Sequence, residues 1–430
     1  MVSERSDPAL SARRAALALL DAVLRHRRLL SEALADPGGA VAGLAPADRA
    51  RAQRLATRTL RRIAPADAAL SPLMARSPDP WVRNLLRLAV CELSARPADA
   101  HGIVAAAVDL ARVAGHAHAA GFVNAVLRRL ADGTAPLAGA PPQRLPRWLR
   151  EPLRAAYGGA AVARIEAVQA GDPPLDLTPR DPAEAALLAD ALGAVVLPTG
   201  SLRLRESGQV SSLPGFAEGR WWVQDAAAAL PARMLDPAPG ARVLDICAAP
   251  GGKTLQLAAA GAQVTAIDIS GQRMARVAEN LARTGLRAEC VTADALTWEN
   301  PGTAFDAVLL DAPCSASGTI RRHPDLPFVK SAADLQPLLA LQAALIDRAV
   351  ALLRPGGHLV FCTCSLLSAE GEDQLAAACA RHPGLVPDPV CPAGVPGAWQ
   401  TRDGAIRTRP DHWASSGGID GFFIVRLRRR

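Results

Sequence analysis

Apolar residues recur along this chain at two different periods, and the change of period divides it. Up to about residue 130 they fall at steps of three and four. Leu17, Leu20 and Leu24 lie in a stretch from 10 to 34 that closes on Asp36-Pro37-Gly38-Gly39, which predicts a helix and its stop. Further helices are predicted over roughly 46–63, 80–94, 101–114 and 120–131. In the last of these Phe122, Val126 and Leu130 form an apolar stripe with the arginines outside it. Residues 132–146, rich in Gly, Pro and Ala and without a period, read as a linker. From 147 to 237 a smaller mixed unit is predicted: a helical start, an Asp181-Pro182 cap into a second helix, and hairpin pieces near 202–204 and 221–223. Trp221 and Trp222, flanked by Val, read there as packing residues.

From Gly240 onward short continuous apolar runs alternate with helical segments. Strands are predicted at 242–247, 262–267, 287–291, 305–310, 357–362 and 421–427, which implies a parallel, doubly wound sheet. Ligands of such sheets bind outside the carboxyl ends of the strands. Those ends carry Cys247 to Lys253, Asp268, Asp294, Asp311 to Ser315, and Thr363 to Ser365. This registration of polar and small residues at five successive ends says more than any single motif.

The first end is the most informative. Val243 to Thr254 reads V-L-D-I-C-A-A-P-G-G-K-T, a strand joined to a helix through Ala248, Ala249, Pro250, Gly251 and Gly252. Side chains so small let a ligand approach the main-chain amides, and the helix start favours a polar or anionic group. The pattern is neither the G-x-G-x-x-G of dinucleotide enzymes nor a phosphate loop, because Lys253 follows Gly-Gly directly. Asp268 at the next end suits ribose hydroxyls, and Asp294 at the third suits an adenine amino group, although either is also an ordinary helix cap. Together with the turn they describe an adenosine-containing cofactor. The fourth and fifth ends, D-A-P-C-S and C-T-C-S, bring Cys314 and Cys364 to one edge. A thiol there suits a nucleophile, with Asp311 near enough to handle a proton.

Charge adds a partner. The net charge is +7, yet residues 1–160 hold 23 Arg against 13 acidic residues, and Arg51, Arg54, Arg58 and Arg62 share one predicted helix face. A basic stripe of this kind suits nucleic-acid phosphates, or is simply a solvated face. Of 48 basic residues only two are Lys, and one is Lys253 in the turn. The eight cysteines show no C-x-x-C pair and no ligand spacing, so neither disulfides nor a metal site is expected. No signal peptide and no long uncharged apolar run is evident, so no membrane association and a cytoplasmic protein are expected.

The motifs V-L-D-I-C-A-A-P-G-G-K-T, D-A-P-C-S-A-S-G-T, T-C-S and D-G-F-F-I-V-R-L resemble those of the S-adenosylmethionine-dependent RNA cytosine-5 methyltransferases, over Gln224-Asp225 to Leu427. The N-terminal part, with G-F-V-N-A-V-L-R-R, resembles the RNA-binding NusB-like domain, and the pairing resembles the Sun-type small-subunit (16S) rRNA methyltransferases. The resemblance implies a multidomain fold: an all-α NusB-like domain over 1–135, a small α+β domain over 147–237, and an α/β Rossmann-like methyltransferase domain over 238–430. It also implies that Cys247, Ala248, Ala249, Pro250, Gly251, Gly252, Lys253, Asp268, Asp294 and Asp311 hold S-adenosylmethionine, that Cys364 is the nucleophile, that Cys314 assists product release, and that 16S rRNA is the partner. The family commonly has Tyr-Ser before Thr-Cys-Ser, where this chain has Phe361-Cys362, a second thiol whose role the resemblance leaves open. Two other readings share much of this pattern: a cytosine-5 methyltransferase acting on tRNA, and a non-catalytic RNA-binding or ribosome assembly factor, which would have no need of Cys314 and Cys364.

Overall fold

Alanine and leucine at helical spacing build the N-terminal part. The computed structural model describes residues 8–132, 136–137, 139–205 and 208–430. Its helices there are α1 (Pro8–Leu24), α2 (Leu30–Ala35), α3 (Pro46–Leu60), α4 (Ile63–Leu70), α5 (Pro80–Ala95), α6 (Ala100–Val113), α7 (Ala120–Ala131), α8 (Arg147–Tyr157) and α9 (Gly159–Gln169). The small Ala15, Ala52, Ala56, Ala89 and Ala111 let these helices approach closely, and Leu17, Leu20, Leu60, Leu86 and Leu127 fill the core between them.

Three expectations need correction here. The single helix over 10–34 is two, because Arg27 takes a left-handed φ of 51° and breaks the run between α1 and α2. In α7 Val126 is buried and Leu130 packs on the helical core, but Phe122 is exposed and Val123 and Leu127 are buried instead, so the inward face is shifted towards these two. Arg62 leaves the basic stripe because α3 ends at Leu60 and Arg62 precedes α4.

The chain forms two compact units, and the helical one is discontinuous. It comprises residues up to Arg150, Val162–Asp172 and Ile320–Ser331. The late segment is well tied within it. Asp325 Oδ2 accepts from Leu30 N at 2.9 Å and so caps α2, Arg27 Nη2 donates to Val329 O, and Phe328 and Val329 pack on the helical core. Arg61 is buried against Asp172 at 3.0 Å and donates to Arg321 O. Much of the expected linker is structured too: Gln143 Oε1 accepts from Ala64 N, and Leu145 N donates to Glu166.

The second unit holds two sheets. The smaller is antiparallel, with strands β1 (Leu175–Pro179), β2 (Val195–Val196), β3 (Leu202–Leu204) and β4 (Trp221–Val223) in the order β2-β3-β1-β4, and helix α10 (Ala185–Leu192) packs on it. Strand alternation sends Trp221 into the core of this sheet and Trp222 into a separate cluster with Leu255, Met274 and Val277. The helix α11 (Leu230–Leu235) then leads to the larger sheet.

That sheet contains β5 (Arg242–Ile246), β6 (Gln263–Asp268), β7 (Glu289–Thr292), β8 (Phe305–Asp311), β9 (Leu353–Thr363), β10 (Leu385–Pro387), β11 (Ile406–Arg407) and β12 (Phe423–Arg429). The helices α12 (Gly252–Ala259), α13 (Gly271–Thr284), α14 (Leu326–Val329), α15 (Leu335–Leu352) and α16 (Glu372–Arg381) alternate with them, α14 lying in the segment given to the helical unit. The order is β10-β12-β9-β8-β5-β6-β7, with β5 to β9 parallel. Leu244, Ile246 and Phe361 face one apolar layer, whereas Val243, Leu309, Val360 and Ile424 face the other, so both sides are covered. The sheet is not wholly parallel as expected: β12 runs antiparallel to β9, and β10 and β11 antiparallel to β12. The long return from β9, carrying α16 and two short strands, brings the chain back in the opposite direction.

Candidate active site

The carboxyl ends of β8, β5 and β6 lie side by side, because Ile246 is in register with Leu310 on one flank and Ile267 on the other. At the end of β5 the chain turns sharply. Cys247 adopts φ 61°, and Gly251 at φ 102° precedes α12, a conformation in which any side chain is strained. A Cβ on Gly251 would also stand 3.1 Å from Val277 Cγ1, so the turn is held tight against α13. Ala248 N donates to Ile267 O at 3.0 Å and Gly251 N to Ala248 O at 2.9 Å, which leaves a cradle whose lining is nearly all backbone.

Asp268 is buried at the end of β6. Its Oδ2 accepts from Ala249 N at 3.2 Å and from Arg273 Nη2 at 2.6 Å, and its Oδ1 accepts from Ser270 N at 2.9 Å. The carboxylate therefore ties the cradle to α13 and still has a lone pair on Oδ1 for a ribose hydroxyl. Asp294 is exposed, and its Oδ1 accepts from Leu296 N at 3.0 Å, the capping geometry. Small side chains, a buried carboxylate acceptor and a helix start fit the adenosyl part of S-adenosylmethionine.

Lys253 explains its isolation among arginines. Buried near the start of α12, its Nζ donates to Asp311 Oδ2 at 2.7 Å and lies 5.5 Å from the Phe422 ring centroid. Burial alone would lower the ammonium's pKa, but the Asp311 carboxylate raises it above the ordinary value. The other Asp311 oxygen accepts from Cys362 Sγ at 3.4 Å. Burial, and then Asp311, push the Cys362 thiol well above its ordinary range, so this cysteine is a neutral donor to the carboxylate.

Cys314 and Cys364 meet. Their sulfurs are 3.4 Å apart, with Cys314 three residues beyond β8 and Cys364 immediately beyond β9. The bond to Cys364, then burial, push the Cys314 thiol well above its ordinary range, so Cys314 is the group that keeps its proton. At this distance a protonated Cys314 can donate to the Cys364 sulfur.

Sequence reasoning missed the groups that hold these thiols. Glu370 is fully buried; its Oε1 accepts from Ser315 N at 2.8 Å and Gln342 Nε2 at 3.1 Å, and its Oε2 from the hydroxyls of Ser315 and Ser365 at 2.5 Å. One carboxylate thus joins the residue after Cys314 to the residue after Cys364. Gly318 N donates to Cys364 O, and Gly421 N donates to Gly318 O, so the D-G-F-F run closes over the same loop. A Cβ at Gly318 would stand 1.9 Å from Gly421 O, and one at Gly421 would stand 2.4 Å from Leu366 Cδ2, so neither position has room for a side chain. Asp225 of the Gln-Asp pair accepts from Asp420 N at 3.1 Å. Asp245, in the middle of β5, was also missed. It is fully buried and accepts from Thr254 Oγ1 at 2.6 Å, and burial pushes its carboxyl up to about 7. The signals for Asp245 and Glu370 were slight: an acid inside an apolar strand, and an acid six residues after the Cys364 thiol.

Residues 232–428 match the family described as 16S rRNA methyltransferase RsmB/F, and residues 10–132 match the NusB family. The ribosomal RNA small subunit methyltransferase B of Xylella fastidiosa strain 9a5c is 40% identical over 403 residues, covering 88% of this chain and 91% of that protein. The protein of the same name from Pseudomonas putida is 39% identical, over 82% of this chain and 83% of its own length. Among solved structures, the crystal structure of PH0851 superposes with a TM-score of 0.75 at 22% identity over 98% of this chain and 99% of that one. A methyltransferase homologue from Pyrococcus horikoshii superposes with a TM-score of 0.56 at 26% identity, over 65% of this chain and 94% of that one. With a mostly parallel sheet that gathers two thiols beside a turn of small residues, and relatives near 40% identity along most of its length, the chain belongs to the RsmB/F family of 16S rRNA methyltransferases.

Proposed function

We propose that this protein methylates carbon 5 of a cytidine in 16S ribosomal RNA, in the cytoplasm, with Cys364 as the nucleophile. The 3.4 Å approach of Cys314 and Cys364 carries the reading. S-adenosylmethionine, held by the Cys247–Lys253 turn, Asp268, Asp294 and Asp311, supplies an electrophilic methyl group.

Cytosine carbon 5 is a weak nucleophile. Addition of the Cys364 thiolate to carbon 6 makes the 5,6 bond enamine-like, so that carbon 5 takes the methyl. The carbon-5 proton must then leave, its electron pair re-forming the double bond as the Cys364 sulfur departs. Cys314 stands where it can pass a proton to or from this centre and release the product. The Lys253–Asp311 pair is braced by Cys362 and Phe422 beside the same edge, where it orients the reacting groups. Segments 1–135 and 147–237 grip RNA in this reading, and 238–430 carries out the chemistry. The target base must leave its stack to reach the two thiols.

A denaturing gel of protein with target RNA and cofactor tests the assignment. Cys364→Ala should form no covalent species and transfer no methyl. Cys314→Ala should transfer the methyl and stall with RNA attached. An adduct that persists in Cys364→Ala and disappears in Cys314→Ala or Cys362→Ala would reassign the nucleophile.

A further inference from the structure

A pocket of about 390 Å³ opens between the small sheet and the α11–α12 face, lined by Thr178, Thr199, Trp222, Arg233, Ala259 and others. It lies at the end of α12 opposite the cradle, roughly 12 Å of helix away from Gly252. The catalytic reading above uses none of it.

Arg233 sets this pocket apart. Four buried arginines of the chain each meet a carboxylate: Arg13 meets Glu92, Arg61 meets Asp172, Arg203 meets Asp176 and Arg407 meets Glu372. Arg233 is partly buried, which lowers its pKa, and among the described residues it has no ion pair and no hydrogen bond. Its guanidinium packs against Gly200, where an added Cβ would stand 3.5 Å from Nη1. A planar cation with spare donors suits an oxyanion. The volume exceeds what a phosphate needs; Pro179, Pro182, Pro237, Leu257 and Ala260 make much of the wall apolar, and Arg180, Asp236 and Gln256 also line it.

We propose that this pocket is a second nucleotide site, in which Arg233 binds a phosphate group and the apolar walls take the ring and sugar attached to it. The phosphate belongs to a nucleotide of a single-stranded RNA segment or to a free mononucleotide. The RNA source rests on the function proposed above, whereas the site itself does not. Bound there, a strand would be anchored on the face of α12 away from the thiols.

Binding of three probes to the full chain, with saturating S-adenosylmethionine to keep adenosine out of the cradle, tests this. The probes are a hexameric oligoadenylate, adenosine 5′-monophosphate and inorganic phosphate. Arg233→Gln should weaken the nucleotide probes at least fivefold and leave cofactor affinity unchanged. Ala259→Trp, which fills the mouth from an exposed position, should do the same with Arg233 in place. Dependence on Arg233 for the oligonucleotide alone assigns the phosphate to RNA; equal dependence for the mononucleotide assigns it to a free ligand. Binding of every probe that is the same in wild type and both variants would overturn the site, as would inorganic phosphate binding as tightly as the mononucleotide. Methylation of 16S rRNA by the wild-type protein reads the catalytic assignment separately.

Discussion

Asp245 shows what a single buried carboxyl does to this fold. Its Oδ2 takes the Thr254 hydroxyl while its Oδ1 has no partner, the pattern of a neutral acid, and burial holds its pKa at about 7. The folded state therefore keeps a proton that the unfolded chain, with an ordinary carboxyl of 3.8, has already released. A raised carboxyl pKa leaves stability intact below the unfolded value and withdraws it as pH climbs through the folded one. Asp245→Asn should accordingly melt close to wild type near pH 4 and gain on it as pH rises to 8, by about 5 °C or more. Melting curves at pH 4, 6 and 8 check this, and a constant offset would show that Asp245 does not titrate in that window. His412 works in the other sense: burial, helped by Arg409, lowers it to about 4, so its contribution is present above the unfolded value of 6.5 and is lost as pH falls towards 4. His412→Gln should remove that acid-side loss, measured as a flatter stability profile between pH 6.5 and 4. Neither effect was legible beforehand, because a carboxyl in V-L-D-I and a lone histidine declare nothing about solvent until the other chain segments cover them.

Among elements, the loops after β8 and β9 carry the thiols, and their mutual fit comes from α15 and the turn before α16. Gln342 of α15 donates to Pro313 O and to Glu370, and Glu370 gathers Ser315 and Ser365. Glu370→Gln keeps the shape but replaces an acceptor oxygen by a donor facing two hydroxyls. Methyl transfer should fall on the order of tenfold to a hundredfold, since small misplacements of reacting groups are costly, while cofactor affinity stays unchanged. Single-turnover kinetics alongside cofactor titration decide it; an unaltered rate would show that the two loops hold their places without the carboxylate. The strands themselves were readable, since β5, β6, β8 and β9 are continuous apolar runs ending on small or polar residues, and those ends are where the cradle and thiols stand. Glu370 was not, because S-A-E-G-E-D reads as a surface cap and its partners are up to 55 residues away. The reversal of β12 was also hidden, since an apolar strand carries no mark of its direction.

On the scale of the whole chain, the basic face of α3 and the division of the helical unit lead to different experiments. Arg51 and Arg54 line a pocket with Arg58 and Arg96, but Arg58 is engaged by Asp172 and Arg96 by Asp99. Replacing Arg51 and Arg54 together by Gln should lower the slope of log affinity for single-stranded RNA against log salt by about 1.4. An unchanged slope would mean that this face meets no phosphates. Removing residues 1–135 is a poorer test, because Ile320–Ser331 would lose its partners and expose Phe328 and Val329. That dependence could not be read in advance, since Asp325 and Leu30, its clearest link, are 295 positions apart. It bears also on how the protein is made. A ribosome works from the N-terminus at about 5–20 residues per second, so roughly 10–30 s separate the emergence of α9 from that of Ser331. Through that interval the nascent helices wait with the start of α2 uncapped and a place for Phe328 open. The N-terminal part of this methyltransferase thus finishes folding only when about three quarters of the chain has been translated.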